Sequence, residues 1–267
     1  MRFDDYFAIE GEKPLDNYKP DGGFTKIFRT IACIGDSLSS GELERRVGDG
    51  TKYDDIYEYS WGQFIARVCG STVYNFSKGG MTAKEYLDSF ATDRDLFNQM
   101  KATQAYIMAL GVNDLMGMNQ PIGTIDDIDD SDPEKCNTET FAGCYGKVFL
   151  KYKQIQPKAR FFLMSMPRYD CDGEETLNKR RAHADLLHDM AKKFDYTYVI
   201  DLFRDGPVYD KRCRSTLFLN GHQNVQGYMF TAEMVMTYID YIIRNKPEDF
   251  LQVGYVGTPW HCEKNKW

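Results

Sequence analysis

A serine and a histidine far apart in the chain have the side chains best suited to covalent chemistry. Ser37 lies in the run IGDSLS, directly after a short apolar segment. Of the four histidines, His183 and His188 fall in a predicted helix, where we expect them on the polar face, and His261 is near the end of the sequence. His222 is the histidine in a loop. Because a serine becomes a nucleophile when a nearby histidine removes its proton, Ser37 and His222 together indicate nucleophilic chemistry.

Two further segments carry groups that can donate hydrogen bonds to a negatively charged oxygen. Gly79 and Gly80 follow a second apolar run, and glycine lets a backbone N–H approach a ligand closely. Asn113 follows a third run, in the sequence LGVND, and its amide could hold an oxyanion. Each segment also has a purely structural interpretation: a turn before a threonine-capped helix, an Asx-turn, or, at Asp36 or Ser37, a helix cap. A single segment therefore does not decide the function.

Apolar runs alternate with amphipathic segments along the chain. Five short runs predict buried strands at residues 28–34, 71–76, 105–110, 160–166 and 196–202. Helical spacing of apolar residues predicts helices at 61–68, 140–154, 178–194 and 226–244. This alternation predicts a parallel sheet with helices on both faces. Such sheets bind ligands at the carboxyl ends of their strands, which is where the candidate residues are expected.

Two charged insertions, residues 41–59 and 114–137, interrupt the alternation. The second is acidic but lacks the central glycine and closing glutamate of an EF-hand loop, so we interpret it as a solvated loop. The seven cysteines are irregularly spaced and include no CxxC pair, which argues against structural zinc and against a disulfide framework. We predict Cys33 to be a buried core residue, and we predict neither a metal nor a cofactor.

Composition limits the classes of protein that the chain can represent. Its 267 residues, 42% hydrophobic and 14% aromatic, predict a globular chain with a sizeable core. A net charge of −7 argues against a nucleic-acid partner. No apolar stretch has the length of a membrane span, and the first residues are acidic where a signal peptide would be basic, so we predict a cytoplasmic protein. We expect one domain over residues 1–267, with an arm at 1–27, a core at about 28–244 and a tail at 245–267.

Four segments taken together resemble the GDSL, or SGNH, hydrolase superfamily over about residues 28–244. They are the GDS run with Ser37, the turn with Gly80, the GxND run with Asn113 and the loop with His222, and they occur in the family's order. The resemblance implies an α/β fold: a three-layer α/β/α sandwich with a five-stranded parallel sheet, similar in architecture to flavodoxin.

The resemblance also assigns roles to these residues. It implies that Ser37 attacks an acyl carbonyl and that His222 takes the serine proton and later donates it to the leaving alcohol. The N–H groups of Ser37 and Gly80 and the amide of Asn113 would form the oxyanion hole. Gly79 is an alternative to Gly80, because the register of that turn is open.

One position departs from the family pattern. The family places an aspartate three residues before the catalytic histidine, where this chain has Leu219. The histidine would then need another partner, either a main-chain carbonyl near Phe218 or Leu219 or a displaced acid such as Asp201 or Asp205. A Ser-His dyad with reduced turnover and a complete loss of activity are the other interpretations. Removing the acid of a protease triad lowers the rate by about 10⁴-fold, so this departure bears on rate.

We therefore expect a serine-dependent carboxylic-ester hydrolase that forms an acyl-enzyme on Ser37. Its partner would be a small-molecule acyl ester, such as an O-acetylated sugar or another metabolite. Two alternatives are an acyltransferase that uses the same Ser37 and His222, and a binding protein that kept the fold after losing the acid. The sequence leaves the oligomeric state open.

Overall fold

The structure, a computed structural model, describes residues 3–260. His261, Cys262 and Trp267, which belong to the predicted tail, lie outside the described residues. In the described part of the chain the strands are β1 (Thr30–Gly35), β2 (Glu42–Val47), β3 (Gly50–Asp55), β4 (Thr72–Ser77), β5 (Ala105–Ala109), β6 (Arg160–Met164) and β7 (Thr197–Ile200). Five of them form one parallel sheet in the order β4–β1–β5–β6–β7, whereas β2 and β3 form a separate hairpin. All five predicted strands are confirmed, and their order is that of a doubly wound, flavodoxin-like sheet.

Helices connect the parallel strands. Over the same described residues they are α1 (Ser37–Ser40), α2 (Trp61–Cys69), α3 (Ala83–Glu85), α4 (Ala91–Asp93), α5 (Phe141–Ile155), α6 (Glu174–Lys193), α7 (Lys211–Leu217) and α8 (Val225–Asn245). The four predicted helices are confirmed as α2, α5, α6 and α8. Helix α6 begins four residues earlier than expected, and its first turn carries the acidic Glu174 and Glu175, which suit the positive end of a helix dipole.

The sheet is packed on both faces, and β1 shows how. Its side chains alternate, so Ile31 and Cys33 belong to the cluster that includes α2 and α8, whereas Ala32 and Ile34 belong to the cluster that includes α5 and α6. All four side chains are fully buried, including Cys33 as predicted. The predicted three-layer α/β/α sandwich is therefore confirmed.

Of the two histidines of α6, His188 agrees with the predicted polar face and His183 does not. His183 is fully buried and packs against the ring of Phe141, so its assignment to a polar face is wrong. It is three residues from Arg180 and seven from Met190, on the stripe of α6 that faces the core. His188, by contrast, is partly exposed and bonds to Asp201 at 2.7 Å.

The first charged insertion folds into an antiparallel hairpin that the sequence analysis did not predict. Strands β2 and β3 pair from Glu42 with Asp55 to Val47 with Gly50. The hairpin is attached to the domain at its base, where the Tyr228 hydroxyl of α8 donates to the Glu42 carbonyl at 2.6 Å. It therefore stands beside the carboxyl end of β1.

The second insertion forms short turns. Within it, Ile125–Asp127 and Pro133–Lys135 are single 3₁₀ turns that contact α5, and Ile128 is buried in the core between them. No group of three or more His, Cys, Asp or Glu side chains in residues 3–260 is arranged to hold a metal ion. Within the same residues, no helix is both long and apolar enough to cross a bilayer.

Candidate active site

Ser37 occupies the first position of α1, directly beyond the carboxyl end of β1. Asp36 caps this helix, because its Oδ1 accepts a hydrogen bond from the Leu38 N–H at 3.0 Å. A side chain at Gly35 would overlap that of Ser39, so glycine lets β1 turn tightly into the helix. The capping interpretation thus applies to Asp36, and it leaves the Ser37 hydroxyl free to contact another group.

His222 contacts this hydroxyl from the loop between α7 and α8. Its Nε2 lies 2.9 Å from Ser37 Oγ, although the two residues are 185 positions apart. The loop is closed by a hydrogen bond from the Leu219 N–H to the His222 carbonyl, and Asn224 caps α8 directly after it. The structure therefore brings together the two residues that the sequence singled out.

The partner of the other imidazole nitrogen is Glu44, on the hairpin strand β2. Glu44 Oε1 lies 2.9 Å from His222 Nδ1 and also accepts the N–H groups of Gly221 and His222, each at 2.8 Å. Burial opposes ionisation of this carboxyl, but the hydrogen bonds from His222 and Gly221 outweigh it and lower the pKa of Glu44. Ser37, His222 and Glu44 thus form one continuous chain of hydrogen bonds.

None of the partners suggested by the sequence occupies that position. The Leu219 side chain is exposed, and the Leu219 main chain bonds to the His222 carbonyl, not to its ring. Asp201 bonds to His188, Arg204 and Ser165, whereas Asp205 accepts the Tyr238 hydroxyl. Glu44 was missed because no fixed spacing relates it to His222. The only signal was an acidic residue in the charged insertion that follows the nucleophile loop.

The glycine turn after β4 contains one N–H with no acceptor among the described residues. Gly80 has a φ of +74°, a left-handed conformation that glycine adopts readily. The Gly79 N–H donates to Asp55 Oδ2 at 3.4 Å, whereas the described residues provide no acceptor for the N–H of Gly80 or of Ser37. Of the two glycines, Gly80 is therefore the one with an N–H available for a ligand.

Two hydrogen bonds join the LGVND loop to the segment after the glycine turn. The Asn113 side-chain amide donates to the Met81 carbonyl at 3.0 Å, and Asp114 Oδ1 accepts the Ala83 N–H at 2.7 Å. An amide has two hydrogens, so Asn113 retains a second donor. Asn113 thus holds the glycine turn in place and can also contribute a donor to a ligand.

If Asn113 is an oxyanion donor, replacing it by alanine should lower kcat by about 10²–10³-fold, because one preorganised donor is lost. The measurement is steady-state hydrolysis of p-nitrophenyl acetate by the wild type and Asn113→Ala. The matched control is Asn245→Ala at the end of α8, where the side-chain amide likewise donates to a backbone carbonyl, that of Tyr241. An unchanged kcat in Asn113→Ala would rule out the donor role.

Two carboxyl groups near Ser37 are buried and hold their protons unusually tightly. Burial is the main cause, and it raises the pKa of Asp36 to about 7 and that of Asp114 to about 6. For Asp36 the hydrogen bond from Leu38 opposes the shift, and the nearby Asp114 and Glu42 add to it. Both groups therefore change charge close to neutral pH.

The shift at Asp36 predicts that this residue's contribution to stability falls as the pH rises from its unfolded pKa of about 4 to its folded pKa of about 7. Between these two values the unfolded state has released the proton that the folded state still holds, so a rise in pH favours unfolding. We expect the contribution of Asp36 to the free energy of unfolding to be about 1–2 kcal/mol larger at pH 5.5 than at pH 8. Urea unfolding of the wild type and Asp36→Asn at both pH values measures this, and an equal pH dependence in the two proteins would contradict it.

Comparison with known proteins agrees with the fold and the order of the motifs. The model of the GDSL-like lipase/acylhydrolase family matches residues 31–207, a stretch that includes Ser37 and Asn113 and ends before His222. The chain belongs to this family and is an ester-hydrolysing enzyme. No protein of curated function matches the sequence.

Solved structures share the fold at low sequence identity. A family two carbohydrate esterase from Clostridium thermocellum, in complex with cellohexaose, is 15% identical with a TM-score of 0.58 over 83% of this chain and 65% of its own. A protein from Lactobacillus plantarum is 17% identical, with a TM-score of 0.58. The match covers 80% of this chain and 97% of that protein. A family 2 carbohydrate esterase from Corynascus thermopiles, which also has a carbohydrate binding domain, is 14% identical with a TM-score of 0.55. The match covers 79% of this chain and 65% of that protein. The chain thus spans about two thirds of the two carbohydrate esterases.

Proposed function

We propose that the protein is a serine esterase that hydrolyses small acyl esters through an acyl-enzyme on Ser37. The observation that carries the proposal is the hydrogen-bond chain from Ser37 Oγ through His222 to Glu44, in which both bonds to the imidazole are 2.9 Å long. A serine hydroxyl, an imidazole and a carboxylate in this order are the parts of a serine-hydrolase triad. The carboxylate comes from the hairpin in place of the position held by Leu219.

The first half of the reaction acylates the serine. His222 Nε2 takes the proton as Ser37 Oγ attacks the ester carbonyl, and the carbonyl oxygen becomes negatively charged. The N–H groups of Ser37 and Gly80 and the amide of Asn113 donate hydrogen bonds to that oxygen. When the tetrahedral intermediate collapses, Nε2 returns the proton to the departing alcohol, and the acyl group remains on Ser37.

The second half regenerates the enzyme. Water takes the place of the alcohol, loses its proton to His222 and attacks the acyl-enzyme, after which the acid leaves and Ser37 recovers its proton. Glu44 acts through the imidazole: it holds the ring so that Nε2 faces the serine, and its charge stabilises the ring when it is protonated. The lowered pKa of Glu44 supports this role, because the group is then ionised at neutral pH.

We expect the site to take a small or polar ester in preference to a long-chain lipid. A cavity of about 380 Å³ near the glycine turn has a mostly polar lining, in which Asp55, Lys78, Arg94 and Lys101 are charged and Phe90 and Leu96 are apolar. An alkyl chain would gain little by displacing water from such a lining. Because two structures of similar fold are carbohydrate esterases, O-acetylated sugars are the first natural substrates to try.

The proposal is tested by hydrolysis of p-nitrophenyl acetate, p-nitrophenyl butyrate and acetylated sugars, with fluorophosphonate labelling alongside. We expect hydrolysis of the acetate, labelling of Ser37 and release of free acid even when a competing alcohol is present. Transfer of the acyl group to the alcohol would instead indicate an acyltransferase. A wild type that is neither labelled nor active would contradict the proposal and favour a binding protein.

A further inference from the structure

A second glutamate stands beside the Ser37–His222 pair and has no part in the reaction described above. Glu42 Oε1 lies 3.1 Å from His222 Nε2, the nitrogen that also contacts Ser37 Oγ. The Glu42 side chain is only 13% exposed. A largely buried carboxylate thus lies at the atom through which every proton of the proposed reaction passes.

The hairpin determines this position. Side chains alternate along a strand, so Glu42 and Glu44 of β2 share a face with their cross-strand partners Asp55 and Tyr53. The Tyr53 ring lies edge-on to that of His222, with centroids 5.6 Å apart. This face of the hairpin therefore places two carboxylates and one aromatic ring against the imidazole, with the Asp55 carboxylate beside Glu42.

The turn before Gly80 makes room for Glu42. A side chain at Gly79 would overlap Glu42 Oε2, so glycine at this position lets the carboxylate reach the imidazole. At the other end of the residue, the Glu42 carbonyl accepts the Tyr228 hydroxyl at 2.6 Å. The main chain of Glu42 is thus fixed by Tyr228, and its side chain has room to reach the imidazole.

The geometry of proton transfer places the substrate's alcohol next to this carboxylate. The leaving oxygen must come within hydrogen-bond distance of His222 Nε2 to receive its proton. Glu42 Oε1 is 3.1 Å from that nitrogen, so a leaving oxygen hydrogen-bonded to Nε2 lies within about 6 Å of the Glu42 carboxylate. The acyl part, in contrast, lies on the side of Ser37 and the oxyanion donors.

We propose that Glu42 is a specificity-determining residue that contacts the alcohol part of the substrate, where it selects alcohols that carry hydrogen-bond donors and rejects alcohols that carry negative charge. The inference rests on the proposed esterase function. A carboxylate accepts hydrogen bonds from hydroxyl groups through two oxygens. It repels an anionic group, and at this largely covered position solvent screens the repulsion less than at an open surface.

The carboxylates around Glu42 also disfavour an anionic alcohol. Burial raises the pKa of Glu42, the nearby His222 opposes this shift, and the carboxylates of Asp55 and Glu44 add to it. An anionic alcohol would therefore meet several negative charges at once. Assays at pH 8 favour the ionised form of Glu42.

The experiment compares two acetate esters that differ by one phosphate, 1-acetylglycerol and 1-acetylglycerol 3-phosphate, at pH 8 and low salt. In the wild type we expect kcat/KM for the neutral ester to exceed that for the phosphorylated ester by at least tenfold, mainly through KM. Glu42→Gln, which keeps the shape and removes the charge, should reduce this ratio about tenfold. The matched control Asp49→Asn removes an exposed charge at the hairpin turn and should leave the ratio within twofold.

The outcomes separate this inference from the function on which it rests. An active wild type that hydrolyses the phosphorylated ester equally well or better overturns the inference alone, and so does a ratio that Glu42→Gln leaves unchanged. The ratio of kcat/KM values for the two esters in the wild type tests the inference without relying on a variant that must fold. Fluorophosphonate labelling of Glu42→Gln shows whether the active site of that variant is still formed. A wild type that is neither labelled nor active overturns both proposals.

Discussion

Replacing Ser37 by alanine should abolish both hydrolysis and fluorophosphonate labelling, with kcat falling by up to about 10⁶-fold. The alanine has no oxygen to form the acyl-enzyme, so only binding and the oxyanion donors would remain to accelerate attack by water. The measurement is the rate of p-nitrophenyl acetate hydrolysis, with mass spectrometry of the labelled protein. His222→Ala should cause a comparable loss, and the double variant should be little worse than either single one, because the two residues act as a unit.

Ser39→Ala is the matched control for this prediction. Ser39 is on the same short helix and is almost fully buried, and within the described residues its hydroxyl has no hydrogen-bond partner. Removing its hydroxyl should leave labelling and kcat within about twofold of the wild type. If Ser37→Ala keeps substantial activity or labelling, another residue must be the nucleophile.

Glu44→Gln should lower kcat by about 10³–10⁴-fold while leaving KM nearly unchanged. Glutamine keeps the length of the side chain but removes the negative charge that stabilises the protonated imidazole in the transition state. The acidic limb of the pH–rate profile should also shift to lower pH, which a purely structural role would not cause. Kinetics from pH 5 to pH 9 measure both effects.

Asp205→Asn distinguishes this role from a general effect of removing a carboxylate. Asp205 was one of the acids suggested by the sequence, and its carboxylate accepts the Tyr238 hydroxyl away from His222. The asparagine can still accept that hydrogen bond, so we expect activity within about twofold of the wild type. A large loss in Asp205→Asn together with full activity in Glu44→Gln would reverse the assignment.

Most of the fold could be predicted from local patterns. Short apolar runs and helical spacing arise from burial of one face of each element, and burial is encoded within a window of a few residues. The five strands and four longer helices were therefore found close to their observed bounds. The hairpin of β2 and β3 was not, because its charged, largely exposed residues carry no periodic apolar signal.

The candidate site also contains residues that local sequence patterns identify and residues whose positions depend on tertiary packing. Ser37, Gly80 and Asn113 follow directly from strand ends, and parallel strands deliver their carboxyl ends to one edge of the sheet, so sequence order was enough to group them. His222 could be chosen because the other histidines fall in a helix or near the end of the sequence. The buried position of His183 could not be foreseen, since it depends on which stripe of α6 meets the sheet.

The proposed acid could be identified only in the folded molecule. Glu44 is 178 positions from His222, and the two meet because the hairpin folds back over the loop before α8. The same folding brings Glu42 to the other imidazole nitrogen. Contacts between side chains on separately folded segments depend on how those segments pack, and packing is a property of the whole chain, which no local spacing records.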